Sequence, residues 1–483
     1  MYKKIIIVML IVLGAFTTFF LYRTYAYDTS VVEETPTTTD KAYTFKIGNS
    51  SIKQITVDSG ETKYYDIVLS NPNNAKISYS VYYEMVSPST KPDDFSIGYT
   101  SKSTGNSTGK VDKNGSITLT IEVSNTSSST VTVKVGTVAG YVNGGELTLG
   151  SGQVVIPKQS ASKYIMSLND GTTGDSGSGV YKVTHSAIPA SSSATGSEIP
   201  ASTDYRYYGP NPNNYICLDM EGQSTCPDKH LYRIIGSIYE EKENTNRIKV
   251  IKATSLTDGT TSAFNWSYNG GSYNNIWATI TSGNYSNSLT SGSQLMKLLN
   301  SGDWWNGTSG SYYNDSSTVI TVNFTNYKLS DKAKSYISTS RYYLGGYNTS
   351  SGVMTNQFYA YERGTARYDN NRPLYWDGYV GLMYPSDYGY AAGNNCVIGT
   401  GPYNYDGGCM NKDWLYISNT AQWLMSSRSS YDYSVFYVDI DGHVSHSYSK
   451  VAFAVHPVFY LSSSASITNG DGSLNNPYLI TLE

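Results

Sequence analysis

The sequence predicts a mainly β protein with some α structure, built as an N-terminal transmembrane helix, a β-sandwich and an α+β domain. Three observations lead to this fold class. An uncharged apolar run occupies residues 5–21, short alternating runs separated by turn residues follow it, and all seven tryptophans lie beyond residue 205 in a segment of mixed pattern. Tyrosine, a residue that favours strands, accounts for 47 of the 483 residues.

The apolar run at residues 5–21 is long enough to cross most of a membrane, because a helix rises about 1.5 Å per residue and the hydrocarbon core is about 30 Å thick. Lys3 and Lys4 precede the run and the acidic residues follow it, which favours a cytoplasmic N-terminus and an exported remainder. Residues 1–27 are therefore predicted to be a signal anchor of a single-pass cell-membrane protein. The alternative is a signal peptide cleaved near Thr24–Ala26, which would give a secreted protein.

The charge composition of the chain limits the classes of molecule that it is expected to bind. The net charge is −4, and no block of basic residues indicates nucleic acid. Charged residues make up 15% of the chain, below the roughly 25% of an ordinary soluble domain. The expected partners are the membrane, through the N-terminal helix, and a glycan or protein ligand outside the cell. No phosphate-binding or dinucleotide-binding motif occurs in a fitting context, so we predict no cofactor.

Four cysteines in an exported chain suggest disulfide bonds. Of the three possible connectivities, Cys217–Cys226 and Cys396–Cys409 are favoured because each pair would close a short local loop. A zinc site is the alternative, but the chain has no Cys-x-x-Cys motif and only His230 lies near these cysteines.

The middle of the chain divides by composition into three segments. Residues 28–41 are polar and predict a stalk. Residues 42–158 hold about seven short alternating runs separated by turn residues, a pattern typical of a β-sandwich. By this pattern alone the segment resembles the immunoglobulin-like modules of bacterial surface proteins. Residues 159–204 are rich in Ser, Gly and Thr and predict a linker with one short ordered piece at 162–168.

Residues 205–483 carry a set of segments in a recognisable order: YRYYGPNPNNYICL, LYRIIGSI, YERGTARY, GLMYPSDYGYA, WLMSSRS, HPVFYL and NGDGSLNNPYLI. In these the chain resembles an extracellular domain of unknown function found in surface proteins of gut Firmicutes and their relatives. The resemblance implies a C-type-lectin-like fold. His456 stands where that family commonly has arginine, so a contact made by the arginine is expected to be missing.

The sequence indicates no metal site. His443 and His446 lie three apart on a predicted strand, where their side chains point to opposite faces. The acidic segment beginning at Asp439 resembles the start of a calcium loop, but Val444 and Lys450 occupy positions that an EF-hand needs as Gly and Glu.

Two segments are candidates for ligand binding. Trp304 and Trp305 lie in the loop-like stretch SGDWWNGTSGSYYN, so at least one ring is expected to be exposed. Packing under the domain is an equally good interpretation of this pair. The second segment is SSRSSYDYS at residues 426–434, whose composition is that of binding loops.

In the second segment, Arg428, Tyr431 and Tyr433 are predicted to contact a ligand. Glu362–Arg363 is a charged pair in a charge-poor domain, for which a structural ion pair is favoured over a site. The predicted function is therefore recognition of a glycan or a protein, as in adhesion, with no catalytic residues. The alternatives are an extracellular enzyme acting on an envelope or dietary polymer, and a purely structural envelope component.

Overall fold

The computed structural model describes residues 29–31, 40–46, 50–71, 77–92, 94–100, 103–105, 108–141, 153–154, 156–157, 160–169, 171–281, 284–285, 289–314 and 318–482. These residues form two compact units that divide between residues 159 and 160, with residues 467–470 grouped with the first unit. Of the described residues, about 40% are strand and 15% are helix. The prediction of a mainly β protein with some α is confirmed.

The predicted fold class is corrected in one element. No helix in the part of the chain that the structure describes is long and apolar enough to cross a membrane. The predicted transmembrane helix, residues 1–27, lies outside the described residues. The fold class that the structure supports is therefore mainly β with short helices, without the transmembrane helix.

The first unit consists of strands that form two sheets. One sheet has the order β1-β3-β9-β5-β10, with β7 also paired to β5, and the other has the order β11-β6-β8-β4-β2. The strands are β1 Thr29–Val31, β2 Asp40–Lys46, β3 Ser50–Val57, β4 Glu61–Ser70, β5 Ile77–Ser87, β6 Phe95–Tyr99, β7 Thr108–Val111, β8 Ser116–Asn125, β9 Val131–Tyr141, β10 Gln153–Val154 and β11 Ile156–Pro157.

The core of the first unit lies between these two sheets. In β4, Tyr65, Ile67 and Leu69 are buried while their neighbours face outward, as the period of two along a strand requires. They pack in one hydrophobic cluster with buried valines of β3 and β9, such as Val57 and Val133, which belong to the other sheet. Two sheets sharing one core in this way form a β-sandwich.

The second unit combines eight short α-helices and three short 3-10 helices with strands among the described residues, and its strand Ala465–Asn469 extends into the residues that group with the first unit. The α-helices are α1 Ala161–Ser167, α2 Gln294–Asn300, α3 Asp303–Asn306, α4 Asp331–Ser335, α5 Thr355–Glu362, α6 Pro385–Ala391, α7 Asn394–Gly399 and α8 Gly407–Met410. The strands are β12 Gly179–His185, β13 Ser202–Tyr208, β14 Tyr215–Cys217, β15 Leu231–Glu240, β16 Thr245–Lys252, β17 Ala263–Asn265, β18 Ile280–Thr281, β19 Asn284–Tyr285, β20 Ser309–Tyr313, β21 Val319–Asn323, β22 Ser340–Tyr343, β23 Tyr375–Gly378, β24 Val380–Gly381, β25 Gln422–Ser427, β26 Ser434–Val438, β27 Val444–Tyr448, β28 Ala452–Ala454, β29 Val458–Tyr460, β30 Ala465–Asn469 and β31 Tyr478–Leu482.

Two larger sheets organise these strands. The nine-stranded sheet has the order β24-β29-β16-β15-β14-β31-β30, with β13 paired to β15 and β12 paired to β13. The five-stranded sheet has the order β17-β28-β25-β26-β27. Trp423 of β25 belongs to a chain of buried indole rings, in which Trp266 contacts both Trp277 and Trp423 at centroid distances of 5.0 and 6.1 Å.

The linker predicted for residues 159–204 is replaced by ordered structure in the second unit. Helix α1 lies where a short ordered piece was expected, and its N-cap Ser160 accepts a hydrogen bond from the Lys163 amide. Strand β12 pairs along its whole length with β13. The physical reason is that Tyr181 and Val183 alternate with polar residues, and both are buried in a hydrophobic cluster. Low complexity on either side concealed this strand.

The stalk predicted for residues 28–41 is also corrected in part. Strand β1 pairs in parallel with β3, and β2 begins at Asp40. Residues 32–39 lie outside the described part of the chain.

Both predicted disulfide bonds are confirmed. Cys217 and Cys226 have Cα atoms 5.8 Å apart, and Cys396 and Cys409 have Cα atoms 5.7 Å apart. Each bond closes a local loop, and no free cysteine is found among the described residues.

Candidate functional site

A β-hairpin brings two of the surface tyrosines together. Strands β26 and β27 pair with Ser434 opposite Tyr448, and the Ser449 amide donates to the Tyr433 carbonyl oxygen across 2.8 Å. Tyr433 and Tyr448 are therefore neighbours at the open end of the hairpin, with ring centroids 5.1 Å apart. At the closed end Gly442 has a φ of 80°, a left-handed conformation that glycine adopts without steric cost.

Tyr273, Tyr431, Tyr433 and Tyr448 form an aromatic cluster that we call the tyrosine surface. Tyr433 contacts Tyr431 and Tyr273 at centroid distances of 5.6 and 5.9 Å, and Tyr273 lies 6.2 Å from Tyr448. Tyr431 and Tyr448 are 42% and 49% exposed, whereas Tyr273 and Tyr433 are half-buried. The rings of Tyr431 and Tyr448 are thus exposed to solvent, and those of Tyr273 and Tyr433 pack against them.

A buried asparagine fixes the loop that carries Tyr431. The side-chain amide of Asn275 donates to the carbonyl oxygens of Tyr431 and Ser434, at 2.8 and 2.7 Å. It also lies 3.2 Å from the Arg428 carbonyl oxygen, and the Asn275 backbone amide donates to the Asp432 carbonyl oxygen. These bonds satisfy carbonyl groups that a loop would otherwise have to expose to water. The loop is therefore held in one shape.

Arg428 stands at one edge of the tyrosine surface. Its Nε donates to the Asn348 carbonyl oxygen across 2.7 Å, and its guanidinium carbon lies 4.5 Å from the centroid of the Tyr431 ring. Its Nη1 lies 3.4 Å from Nδ1 of His446. Burial lowers the pKa of His446, and the charge of Arg428 lowers it further, which keeps that imidazole neutral at pH 7.

The structure brings together three of the predicted binding residues and separates the other two. Arg428, Tyr431 and Tyr433 share one loop and one aromatic cluster. Trp304 is 1% exposed, so its predicted role in ligand contact is corrected: helix α3 turns the ring into the core. Trp305 is half-buried, and its ring stacks on Tyr379 with centroids 5.4 Å apart.

Tyr273, Tyr448 and Asn275 belong to the site but were not identified from the sequence. Tyr448 could have been found, because it ends a strand of the predicted Asp-Gly hairpin and its position follows from the register. Tyr273 and Asn275 lie in a turn-rich stretch more than 150 residues from the loop, and no local pattern distinguishes them from other surface Tyr and Asn residues.

A buried ionic network occupies the interior of the second unit. Arg206 binds Asp204 at 2.7 Å and Asp387 at 2.9 Å, and Lys249 contacts the other carboxylate oxygen of Asp387. His185 Nε2 lies 2.8 Å from Asp204. Burial raises the pKa of Asp387, but Lys249 and Arg206 outweigh it and hold that pKa below its ordinary value. These charged groups pair with one another inside the unit. A charged side chain can be buried away from water only when an opposite charge or a hydrogen-bond partner compensates for its lost hydration.

The Glu362–Arg363 pair is buried as well. The Glu362 carboxylate accepts hydrogen bonds from the backbone amide and the hydroxyl of Ser386, and Arg363 Nη1 lies 3.2 Å from it. Burial raises the pKa of Glu362 to about 7, although Arg363 and Ser386 act in the opposite direction. Arg363 also lies 3.5 Å from the ring centroid of Tyr359. The pair therefore has the surroundings of a structural ion pair.

Side-chain ligand atoms of Asp219, Glu221 and His230 lie within 4.8 Å of one another; the two acids belong to the loop closed by the Cys217–Cys226 bond, and His230 follows that loop. Carboxylate and imidazole groups can bind divalent metals. Here Lys229 Nζ lies 2.8 Å from the Glu221 carboxylate and Nε2 of His230 lies 3.1 Å from it. Lys229 and His230 therefore pair directly with the Glu221 carboxylate.

Comparisons of the chain with models of protein families, with curated proteins and with solved structures found no match. The immunoglobulin-like and C-type-lectin-like resemblances therefore stay predictions.

Proposed function

We propose that the protein is an extracellular recognition protein whose second unit binds a glycan or protein ligand through the tyrosine surface. The observation that carries the proposal is the pair of exposed rings, Tyr431 and Tyr448, held by two half-buried tyrosines. Tyrosine provides a large contact area at small entropic cost, because its side chain has few rotatable bonds. The two disulfide bonds support a location outside the reducing cytoplasm.

The arrangement of acidic residues favours recognition over catalysis. A polymer-cleaving enzyme of the usual kind needs two carboxyl groups about 5–10 Å apart in an open cleft. In the second unit, Asp204, Glu362 and Asp387 are each 2% exposed or less and are paired with cationic side chains. These three carboxyl groups therefore have structural partners inside the unit and are not accessible to a polymeric substrate.

A binding experiment with matched tyrosine variants tests the proposal. The full chain is applied to a glycan array and, separately, to immobilised extracellular proteins, alongside the Tyr431→Ala/Tyr448→Ala double variant. We expect the double variant to weaken binding by about 1–3 kcal/mol while the fold is kept. The matched control is Tyr64→Ala, which removes a ring of 44% exposure from strand β4 of the first unit. Equal binding by the double variant and the unchanged protein would refute the assignment of this surface.

A further inference from the structure

Two cationic side chains lie at different edges of the tyrosine surface. The guanidinium of Arg428 lies 4.5 Å from the ring centroid of Tyr431, and Lys450 Nζ lies 5.1 Å from the ring centroid of Tyr273. Tyr433 contacts both of these rings, at 5.6 and 5.9 Å. One continuous aromatic path therefore joins the two cations.

Neither of these two cations has an acidic partner in the part of the chain that the structure describes. Among the described residues, neither Arg428 nor Lys450 has a carboxylate within ion-pair distance; their contacts are a carbonyl oxygen, an imidazole and aromatic rings. By contrast, Arg341 binds Asp377 at 3.0 Å, and the buried basic groups of the ionic network are paired as well. In a chain of net charge −4, two such cations beside exposed rings are complementary to an anion.

Asp432 is an acidic residue in the loop that carries Tyr431 and Tyr433. Arg372, next to this loop, pairs with Asp369 at 3.4 Å; burial lowers the pKa of its guanidinium, and the charges of Asp369 and, less, of Asp432 raise it. Arg372 in turn donates to the Asp432 carbonyl oxygen across 3.3 Å. The Asp432 backbone thus helps to hold the loop, and among the described residues its carboxylate forms no ion pair with Arg428 or Lys450.

We propose that the ligand of the tyrosine surface is an anionic glycan, whose sugar rings lie against Tyr431 and Tyr448 and whose acidic groups pair with Arg428 and Lys450. This inference rests on the proposed function and adds the chemical class of the ligand. Arginine pairs with a carboxylate or a sulfate through parallel hydrogen bonds, and lysine acts as a point charge. The site consists of four tyrosines and two cations, whereas a standard protein interface takes about 20–30 residues on each side, and this difference favours a glycan.

The test compares charged and neutral polysaccharides as probes of the full chain. Polygalacturonate carries carboxylates, dextran sulfate carries sulfates and dextran carries neither. We expect both acidic polymers, or one of them, to bind at least tenfold more tightly than dextran and to weaken as salt is raised. Preference between polygalacturonate and dextran sulfate identifies which acidic group is recognised.

Charge variants then locate the binding groups. Arg428→Gln and Lys450→Gln are each expected to weaken binding of the acidic polymer about tenfold, the usual effect of losing a hydrogen bond to a charged group. Arg428→Lys should restore part of the loss. Lys297→Gln is the matched control, because it removes one exposed charge from helix α2.

The outcomes separate this inference from the proposed function. Binding of dextran equal to that of the acidic polymers, with no effect of either Gln variant, overturns the anionic ligand but leaves recognition by the tyrosines in place. Acidic polymers that bind the Tyr431→Ala/Tyr448→Ala variant as well as the unchanged protein overturn both. A loss of binding in Lys297→Gln as large as in Lys450→Gln would show a non-specific charge effect and also overturn the inference.

Discussion

The side-chain amide of Asn275 donates a hydrogen bond to the carbonyl oxygen of Tyr431, a residue 156 positions further along the chain, across 2.8 Å. The same amide group serves the Ser434 carbonyl oxygen, and the Asn275 side chain is 3% exposed. A single buried residue thus connects two distant loops and sets the backbone from which an exposed tyrosine projects.

Replacing Asn275 by alanine is expected to loosen the loop of residues 428–433. Removing the amide takes the Asn275 donor away from the Tyr431 carbonyl oxygen, and a buried carbonyl left without a donor costs about 1–3 kcal/mol; the Ser434 carbonyl oxygen keeps the Arg428 amide as a donor. Denaturation followed by tryptophan fluorescence measures the loss in the second unit, since all seven tryptophans lie in that unit. Limited proteolysis should cut the variant between Arg428 and Tyr433.

The control is Asn356→Ala, which removes an exposed side-chain amide in the first turn of α5. A similar loss of stability in both variants would contradict the role of Asn275.

How far the sequence predicts this site depends on the range of each interaction. The loop with Arg428, Tyr431 and Tyr433 was identified because its composition is local information, and the hairpin was identified because Asp-Gly between alternating runs is a local signal. The contact of Asn275 with the loop was not predicted, because it joins residues that are far apart in sequence and because no local sequence pattern marks a buried asparagine. The sequence left open whether Trp304 and Trp305 are packed or exposed, because the burial of Trp304 depends on the fold around helix α3.

The same limit explains the fold-level differences. Short closing loops were enough to predict both disulfide pairs, because proximity in sequence implies proximity in space. Strand β12 was missed because Gly and Ser on either side gave the stretch the composition of a linker. Its partner β13 supplies the missing information: residues Gly179 to His185 pair with Ser202 to Tyr208 across seven consecutive positions.

Tyr431→Ala is expected to change the stability of the second unit little, by less than about 1 kcal/mol, because surface substitutions away from special features have small effects. The Tyr431 ring is 42% exposed. Tyr433→Ala should cost more, because that ring is half-buried and contacts three other tyrosines. Urea denaturation of both variants measures the difference. If Tyr431→Ala were the more destabilising of the two, the arrangement of the tyrosine surface would be wrong.

The two adjacent tryptophans should respond differently to truncation. Trp304→Ala removes a ring that is 1% exposed, and the cavity should cost about 3–5 kcal/mol. Trp305→Ala should cost about 1–2 kcal/mol, because the ring is half-buried and loses mainly its stacking on Tyr379. Thermal unfolding curves compare the two. Comparable losses would show that Trp305 is also a core residue.

The Cys217–Cys226 bond should stabilise the loop that carries Asp219 and Glu221. The double variant Cys217→Ser/Cys226→Ser is expected to lose about 2–3 kcal/mol, as loops of this length do when their cross-link is removed. Guanidinium denaturation under non-reducing conditions measures the loss. The control is Ser224→Ala, an exposed change inside the same loop. No change in the double variant would mean that the loop is held by its ion pairs alone.

Glu362 should make the stability of the second unit depend on pH. Burial raises its pKa in the folded protein from 4.5 to about 7. A carboxyl group whose pKa is higher in the folded than in the unfolded protein stabilises the fold fully at a pH below its unfolded-state pKa. This stabilisation is lost as the pH rises through its folded-state pKa. The difference of about 2.5 in pKa (7 − 4.5) corresponds to about 3 kcal/mol of folding stability lost between pH 4.5 and 7.

Glu362→Gln should remove this loss while an amide oxygen still accepts a hydrogen bond from Ser386. We therefore expect the variant to gain stability relative to the unchanged protein as the pH rises from 5 to 8, measured by urea denaturation with tryptophan fluorescence at each pH. Glu198→Gln, an exposed change, should show no such trend. A constant difference between Glu362→Gln and the unchanged protein over this range would mean that Glu362 is already ionised at pH 5 and pairs with Arg363 throughout.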